Sequence, residues 1–245
     1  MMKKQYIALF SLFVLGTSTS LLAQYPWSLP ADGNKTTYQT ALMQNVAARK
    51  TTSLDGVWDS QIDVYGTGTN QRYGIIEDRK PVKYEFTGEN LRNTALVEQD
   101  MDTGEKLQVP SDWNTQRDYL LYYEGYMWYR KKIFAQPQTG KRYFLHFGAV
   151  NYEAVVYLND TKLGQHEGGF TAFQFEVTKL LKAGENKVLL NVNNIRGENK
   201  IPTSMTDWWN YGGITRPVTL VEVSDNFIQD YFIQLEKGKT SDIKG

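Results

Sequence analysis

Short apolar segments bounded by turn residues follow one another through most of the chain, and almost no helical pattern separates them. Five of them are YFLHF (143–147), AVVYLN (154–159), FQFEV (173–177), KVLLNVNN (187–194) and VTLVEV (218–223). Each such strand can bury only one face, so a second sheet must cover the apolar side of the first. The pattern therefore predicts an all-β fold, an antiparallel β-sandwich with a jelly roll as the natural candidate.

Individual segments give more detailed expectations. By the two-residue period of a strand, one face of VWDSQIDV (57–64) is predicted to hold Trp58, Ser60, Ile62 and Val64. The double glycine in EGGF (167–170) predicts a tight hairpin. Helical turns are suggested only in Thr178–Lys182 and within Tyr38–Ala48.

The sequence pattern divides the chain into four parts. We predict a signal peptide, an arm lying on the surface of the sandwich, the sandwich domain itself and the cut start of a second domain, at residues 1–23, 24–53, 54–224 and 225–245. The last part contains one more strand pattern, Tyr231–Glu236, with no partner after it. A lone strand leaves backbone groups unpaired, which indicates an unfinished domain.

The N-terminus has the layout of a secretory signal. Lys3 and Lys4 precede an apolar run at Tyr6–Leu15 and a small polar stretch at Gly16–Ser20, with cleavage expected after Ala23. The apolar run is too short for a spanning helix, and no later segment could cross a bilayer. We expect an exported protein, periplasmic or extracellular and bacterial, without membrane contact after cleavage.

Charge and cysteine content exclude several classes of partner and cofactor. The chain has 27 basic and 27 acidic residues, and no run of like charges, which argues against nucleic-acid binding. It has no cysteine, so disulfides and zinc or iron–sulfur sites of the cysteine type are excluded. The two histidines lie twenty residues apart, His146 in a strand pattern and His166 in a turn, and so give little support to a metal site or a Ser-His-Asp arrangement. We expect no cofactor and no metal.

Catalytic residues are not evident in the sequence. Glycoside hydrolysis needs two carboxylates on opposite sides of the bond, and no spacing here marks such a pair. Four acids lie among turn and aromatic residues and are candidates for a binding role: Asp112, Glu124, Glu167 and Asp207.

Aromatic residues cluster in DYLLYYEGYMWYR (118–130) and in DWWNY (207–211). Sugars present apolar C–H faces and a rim of hydroxyl groups, so sugar sites combine aromatic walls with carboxylates and carboxamides. DWWNY contains both parts. The alternative is that Trp208, Trp209 and Tyr211 plug the end of the sandwich or pack against another domain.

Six stretches together carry a family resemblance. They are LDGVWDSQID (54–63), VPSDWN (109–114), YYEGYMWYRKKI (122–133), LHFGAVNYEAVVYLNDTKLGQHEGGFTAFQFEVT (145–178), GENKVLLNVNN (184–194) and DWWNYGGITRPVTL (207–220). In this order they resemble the N-terminal sugar-binding domain of glycoside hydrolase family 2, the family of bacterial β-galactosidases and β-glucuronidases. The resemblance covers about residues 54–223 and is somewhat closer to the β-glucuronidases.

The resemblance implies a galactose-binding-domain-like jelly roll followed by an immunoglobulin-like sandwich and a barrel with two catalytic glutamates. Residues 225–245 would then begin an incomplete immunoglobulin-like domain, and the barrel partner would be missing. Asp207 matches the acid that reaches from the jelly roll into the sugar pocket. Its loop would be supported by Trp208, Trp209, Asn210 and Tyr211, with framework roles for Gly213 and Arg216.

These observations leave three functions open. The first is the leading portion of an exported retaining β-glycosidase that acts on β-galactosides or β-glucuronides and is inactive without its barrel. The second is an independent lectin-like carbohydrate-binding module. The third is a structural or oligomerisation segment, because such domains contribute to homo-oligomer contacts in the family.

Overall fold

The structure, a computed structural model, describes residues 38–64, 66, 101–102 and 104–234. Two short 3-10 helices, Val46–Ala48 and Asp118–Leu120, accompany the strands. In chain order the strands are β1 (Lys50–Ser53), β2 (Gly56–Asp63), β3 (Glu105–Val109), β4 (Tyr126–Ala135), β5 (Lys141–Phe147), β6 (Glu153–Leu158), β7 (Thr161–Glu167), β8 (Phe173–Glu176), β9 (Gly184–Asn193) and β10 (Val218–Ser224).

The strands form two antiparallel sheets. One sheet has four strands in the order β1-β10-β5-β8, and the other has six in the order β3-β2-β4-β9-β6-β7. Many strands that are neighbours in a sheet come from distant parts of the chain, so crossovers as well as hairpins connect the strands. The all-β jelly-roll sandwich predicted from the strand pattern is confirmed.

A single apolar core lies between the sheets. In β5 the residues Tyr143, Leu145 and Phe147 point into it, as the alternation in YFLHF predicts. Facing them from the six-stranded sheet are Trp58 of β2 and Leu190 of β9. Burial of these large side chains is the main stabilising contribution, because the chain has no disulfide.

Strand β2 follows its predicted pattern at all but one position. Trp58 and Ser60 are fully buried and Ile62 packs against the core, whereas Val64 lies past the end of β2 and is 69% exposed. Asp63, on the opposite face, is also buried, and its carboxylate accepts a hydrogen bond of 2.9 Å from Trp128 Nε1.

The described part of the predicted arm, residues 38–53, ends as the edge strand β1 of the four-stranded sheet, after crossing the outer face of that sheet. Met43 packs there with Phe144, Val221 and Val223 in a small second cluster. Of the helical turn suggested within Tyr38–Ala48, only the 3-10 turn Val46–Ala48 forms. At its start the arm pairs with the sandwich through the bridge between Gln39 and Phe175, and at its end β1 pairs with β10.

The prediction of a tight hairpin at EGGF is wrong. Strand β7 belongs to the six-stranded sheet and β8 to the four-stranded sheet, so this turn carries the chain between the two layers. The glycines are needed for the crossover: Gly168 has φ +127°, and a Cβ on Gly169 would overlap the Asn151 side chain. His166, expected in a turn, lies within β7. The helical turn suggested at Thr178–Lys182 is present, with Leu181 N donating to Val177 O.

The strand predicted at Tyr231–Glu236 does not form in its described part. Residues 231–234 have no strand geometry and are exposed, since no described backbone segment offers them a hydrogen-bonded ladder. Residues 235–245, the signal peptide at 1–23 and the arm up to residue 37 lie outside the described residues. Among the helices of the described part, none is long and apolar enough to cross a bilayer.

Candidate functional site

The loop that joins β9 to β10 lines a surface cavity of about 150 Å³ at one edge of the sandwich. Asp207 lies in this loop and is exposed. The cavity combines two acids, one arginine, two carboxamides and several aromatic rings. Its lining consists of Asn114, Leu121, Tyr122, Glu124, Arg196, Thr206, Asp207, Trp208, Trp209 and Asn210.

Buried asparagine side chains hold this loop from below. Asn210, three residues after Asp207, is buried, and its side-chain amide donates to Asn194 O. The backbone carbonyl of Asn210 accepts a hydrogen bond of 3.0 Å from Asn194 Nδ2. Asn151 donates to Asn210 Oδ1 at 3.2 Å. Carboxamides suit this position because each donates and accepts, so buried backbone groups without regular secondary structure still find partners.

A second attachment joins the loop to the VPSDWN stretch. Gly212 N donates to Asn114 Oδ1 at 2.9 Å, and Gly212 O accepts 2.8 Å from Trp113 N. A Cβ at position 212 would overlap the Trp113 ring, so the backbone can approach the indole only at a glycine. Asn114 also donates to the carbonyls of Leu120 and Tyr123, which ties the aromatic stretch 118–130 to the same edge.

Arg196 is the charged side chain that fixes the loop at Asp207. Its guanidinium donates to the Thr206 carbonyl at 2.7 Å through Nη1 and to the Trp208 carbonyl at 2.7 Å through Nη2. Its Nε donates 2.8 Å to Glu124 Oε1, forming an ion pair at the cavity wall. The backbone is thus held on both sides of Asp207, and the Asp207 side chain is left facing the cavity.

Aromatic rings form the outer part of the site. Trp209 packs between Tyr122 and Tyr211, with ring centroids 5.2 and 6.0 Å apart. Trp208 is 74% exposed, so within the described residues its indole gives the loop little packing. Of the residues expected to support the loop, Trp209 and Tyr211 pack against each other and Asn210 is held by hydrogen bonds, and Arg196 adds contacts that the sequence does not indicate.

A family model covers most of this architecture. The model for the sugar binding domain of glycosyl hydrolases family 2 matches residues 51–224. This range includes the whole cavity loop and all ten strands, apart from Lys50 at the start of β1. The chain belongs to glycosyl hydrolase family 2.

Relatives with similar sequences or structures include β-glucuronidases and a β-galactosidase. The family 2 chain is 39% identical to a β-glucuronidase of Bacteroides fragilis over 129 residues, which are 50% of the chain and 18% of that protein. It is 30% identical to a β-galactosidase of Thermoanaerobacter pseudethanolicus over 164 residues, 64% of the chain and 22% of that protein. A β-glucuronidase structure from an uncultured Clostridium superposes with a TM-score of 0.61 at 27% identity, covering 78% of the chain and 32% of that structure. The chain therefore spans about a fifth of the length of the two curated relatives.

The four candidate acids of the family 2 chain have different surroundings. Asp207 and Glu124 line the cavity. Asp112 accepts hydrogen bonds from Thr115 N and Thr115 Oγ1, at 2.8 and 3.0 Å, and so closes a turn. Glu167 ends β7 and is not part of the cavity lining. The structure thus brings together two of the four acids.

The two histidines lie on different sheets. His146 is in β5, and burial lowers its pKa. His166, in β7, stacks on Phe173 with ring centroids 4.2 Å apart, and burial lowers its pKa too. No group of acidic or histidine side chains in the described residues has the geometry to hold a metal ion.

Gly213 and Arg216 contact the framework around the site. Gly213 bridges to Asn151 and has φ +134°, which favours glycine. Arg216 donates from Nη1 to the Phe170 carbonyl at 3.1 Å, linking the cavity loop to the β7–β8 crossover.

Arg196 is the site residue that the sequence did not point to. It stands two residues after the predicted strand KVLLNVNN, where a charged residue is unremarkable for a loop. Only the return of the chain twelve residues later, at Trp208, gives this arginine its contacts. Glu124, its ion-pair partner, was one of four acids that the sequence ranked equally.

Proposed function

We propose that this chain is the N-terminal portion of an exported, retaining β-glycosidase of family 2 that acts on β-galactosides or β-glucuronides. The observation that carries the proposal is an exposed Asp207 carboxylate in a fixed loop, at a cavity with aromatic walls. Its support in the comparisons is the family model, together with the names of the relatives.

In this proposal Asp207 recognises the sugar. A carboxylate accepts hydrogen bonds from two neighbouring hydroxyl groups of a pyranose ring, and such charge-assisted bonds are stronger than neutral ones. Trp208 and Trp209 offer flat apolar surface to the C–H face of the ring. A barrel domain following the sandwich would complete the pocket.

Bond cleavage belongs to that barrel in the proposed full-length enzyme. A retaining glycosidase needs an acid/base carboxyl and a nucleophilic carboxylate on opposite sides of the glycosidic bond. We place both glutamates after residue 245, so that residues 24–245 contribute to binding and orienting the sugar but do not hydrolyse it. The signal-like N-terminus is the basis for proposing export, to the periplasm or the cell exterior.

The most direct test of this assignment is the DNA that follows the codon for Gly245. We expect an in-frame continuation that encodes a second sandwich and a barrel. A stop codon at this position in the intact gene would contradict the proposal.

A lectin-like binding module is the second candidate, and the exposure of Trp208 favours it. A module must bind sugar without a barrel, whereas half of a composite pocket should not. Isothermal titration of residues 24–245 with galactose, glucuronate and β-linked oligosaccharides separates the two. Millimolar or tighter binding by the isolated chain supports the module, and no measurable heat supports the enzyme portion.

A further inference from the structure

Arg196 contacts the cavity loop in an arrangement that singles out one residue. The two carbonyls that accept from its guanidinium belong to Thr206 and Trp208, the neighbours of Asp207 on either side. Nη1 also donates to Thr206 Oγ1 at 3.0 Å. The only residue between these contacts is Asp207, whose side chain stays free to face the cavity.

We propose that Arg196 is a positioning residue that sets the location of the Asp207 carboxylate in the cavity. Its value for sugar recognition rests on the function proposed above, whereas its effect on the loop does not. Residues 203–209 contain no helix or strand, so nothing in the secondary structure fixes the backbone there. The hydrogen bonds of the guanidinium hold the backbone where strand pairing does not. Without them, this segment would lose more conformational entropy when a sugar binds.

The chemistry of the contacts requires arginine. The guanidinium donates four hydrogen bonds, one to Glu124, two to Thr206 and one to Trp208. A planar fork with five N–H donors on three nitrogen atoms can make all four together, whereas a lysine ammonium has three donors on one atom and does not reproduce this geometry. Glu124 orients the fork from the other side, since its ion pair with Nε fixes the plane of the group.

The same contacts constrain what the cavity can recognise. Arg196 is the only cation among the described residues that line the cavity, and four hydrogen bonds from its five N–H groups are made within the chain. Arg196 therefore has one N–H group left for a substrate carboxylate. We expect this wall to recognise a sugar mainly through hydrogen bonds that Asp207 accepts from its hydroxyl groups.

The loop effect can be measured on the 245-residue chain by ¹⁵N relaxation. We expect backbone order parameters near about 0.8 for residues 206–208 in the wild type and below about 0.6 in Arg196→Ala. Arg196→Lys should be intermediate, because it can restore one carbonyl contact. Arg142→Ala is the matched control, since it removes an arginine–carboxylate pair of similar exposure with Glu176 far from the cavity. Order parameters that are unchanged in Arg196→Ala would overturn the inference.

The effect on recognition is measured in the full-length enzyme with p-nitrophenyl β-galactoside and p-nitrophenyl β-glucuronide. If Arg196 acts through Asp207, Arg196→Ala lowers kcat/KM by about 10-fold or more in the wild-type background but by less than about 2-fold in Asp207→Ala. Losses that multiply in the double variant would show that Arg196 acts independently and would overturn the inference. A wild-type protein that hydrolyses neither substrate contradicts the proposed function instead, and the order parameters still decide the role of Arg196 in the loop.

Discussion

At the scale of single residues, the site depends on polar side chains that form hydrogen bonds with backbone groups outside the strands. Asn194, Asn210 and Asn114 each use both ends of the carboxamide, and Arg196 uses most of its guanidinium. Asp207 differs from them because its carboxylate is exposed in the cavity while its neighbours are fixed. A rigid frame around one exposed acid is what a preorganised binding group requires.

Gly212 tests this frame. Gly212→Ala places a methyl group against the Trp113 ring, and we expect it to lower the free energy of unfolding by about 2 kcal/mol or more through overpacking. Urea unfolding followed by tryptophan fluorescence measures the loss. Gly197→Ala is the control, because its Cβ would meet only the flexible Lys200 side chain and should change stability by less than about 0.5 kcal/mol. Equal stability of the two variants would contradict the close contact at Gly212.

Sequence reasoning located some of these residues and missed others for a physical reason. DWWNY could be singled out because a carboxylate, a carboxamide and aromatic rings stand together in the sequence. The contacts of Arg196 could not, because they join positions that are adjacent only after β9 and β10 have paired with different sheets. Composition alone also does not distinguish a ring that packs in the loop, as Trp209 does, from one that is largely exposed, as Trp208 is.

At the scale of elements, alternation of apolar residues predicted the strands well and the connections poorly. The strands of the core follow the two-residue period because each has one face on the apolar interior. The double glycine of EGGF permits both a hairpin and a crossover, and the choice depends on which sheet the next strand joins. Likewise, the Tyr231–Glu236 pattern forms no strand at 231–234, because alternation alone does not supply a pairing partner.

The arm is an element whose contribution can be measured. Met43 is 2% exposed in the cluster with Phe144, Val221 and Val223, so Met43→Ala should lower the free energy of unfolding by about 2 to 4 kcal/mol. Leu42→Ala, next to it and 45% exposed, should cost less than about 1 kcal/mol. Chemical denaturation of both variants gives the comparison. A Met43→Ala loss no larger than that of Leu42→Ala would show that the arm does not stabilise the sheet.

Strand β5 should also give the fold a pH dependence. Burial lowers the pKa of His146 below its ordinary value of 6.5, so the unfolded chain takes up a proton more readily than the folded chain. The corresponding stability is fully present above pH 6.5 and is lost as the pH falls through the folded pKa. In His146→Gln we expect the decline in unfolding free energy between about pH 7.5 and 5.5 to be smaller than in the wild type, with the remainder due to groups such as His166. Urea titrations at these two pH values test this, and parallel declines in both proteins would contradict it.

At the scale of the whole molecule, the sandwich carries the cavity at one of its edges. The cavity opens at that edge, its acid is held from behind, and its aromatic rings are exposed. Such a surface makes sense as one side of a composite pocket, which agrees with a chain that covers about a fifth to a third of the proteins it resembles.

The central claim is that Asp207 contacts the sugar, and its most direct test is the kcat/KM of Asp207→Ala in the full-length family 2 enzyme. Loss of charge-assisted hydrogen bonds to sugar hydroxyls should reduce kcat/KM for the preferred p-nitrophenyl β-glycoside by about 10- to 100-fold. The melting temperature should stay within about 2 °C of the wild type, because Asp207 is exposed. A kcat/KM within about 2-fold of the wild type, in a variant that is equally stable, would contradict the account.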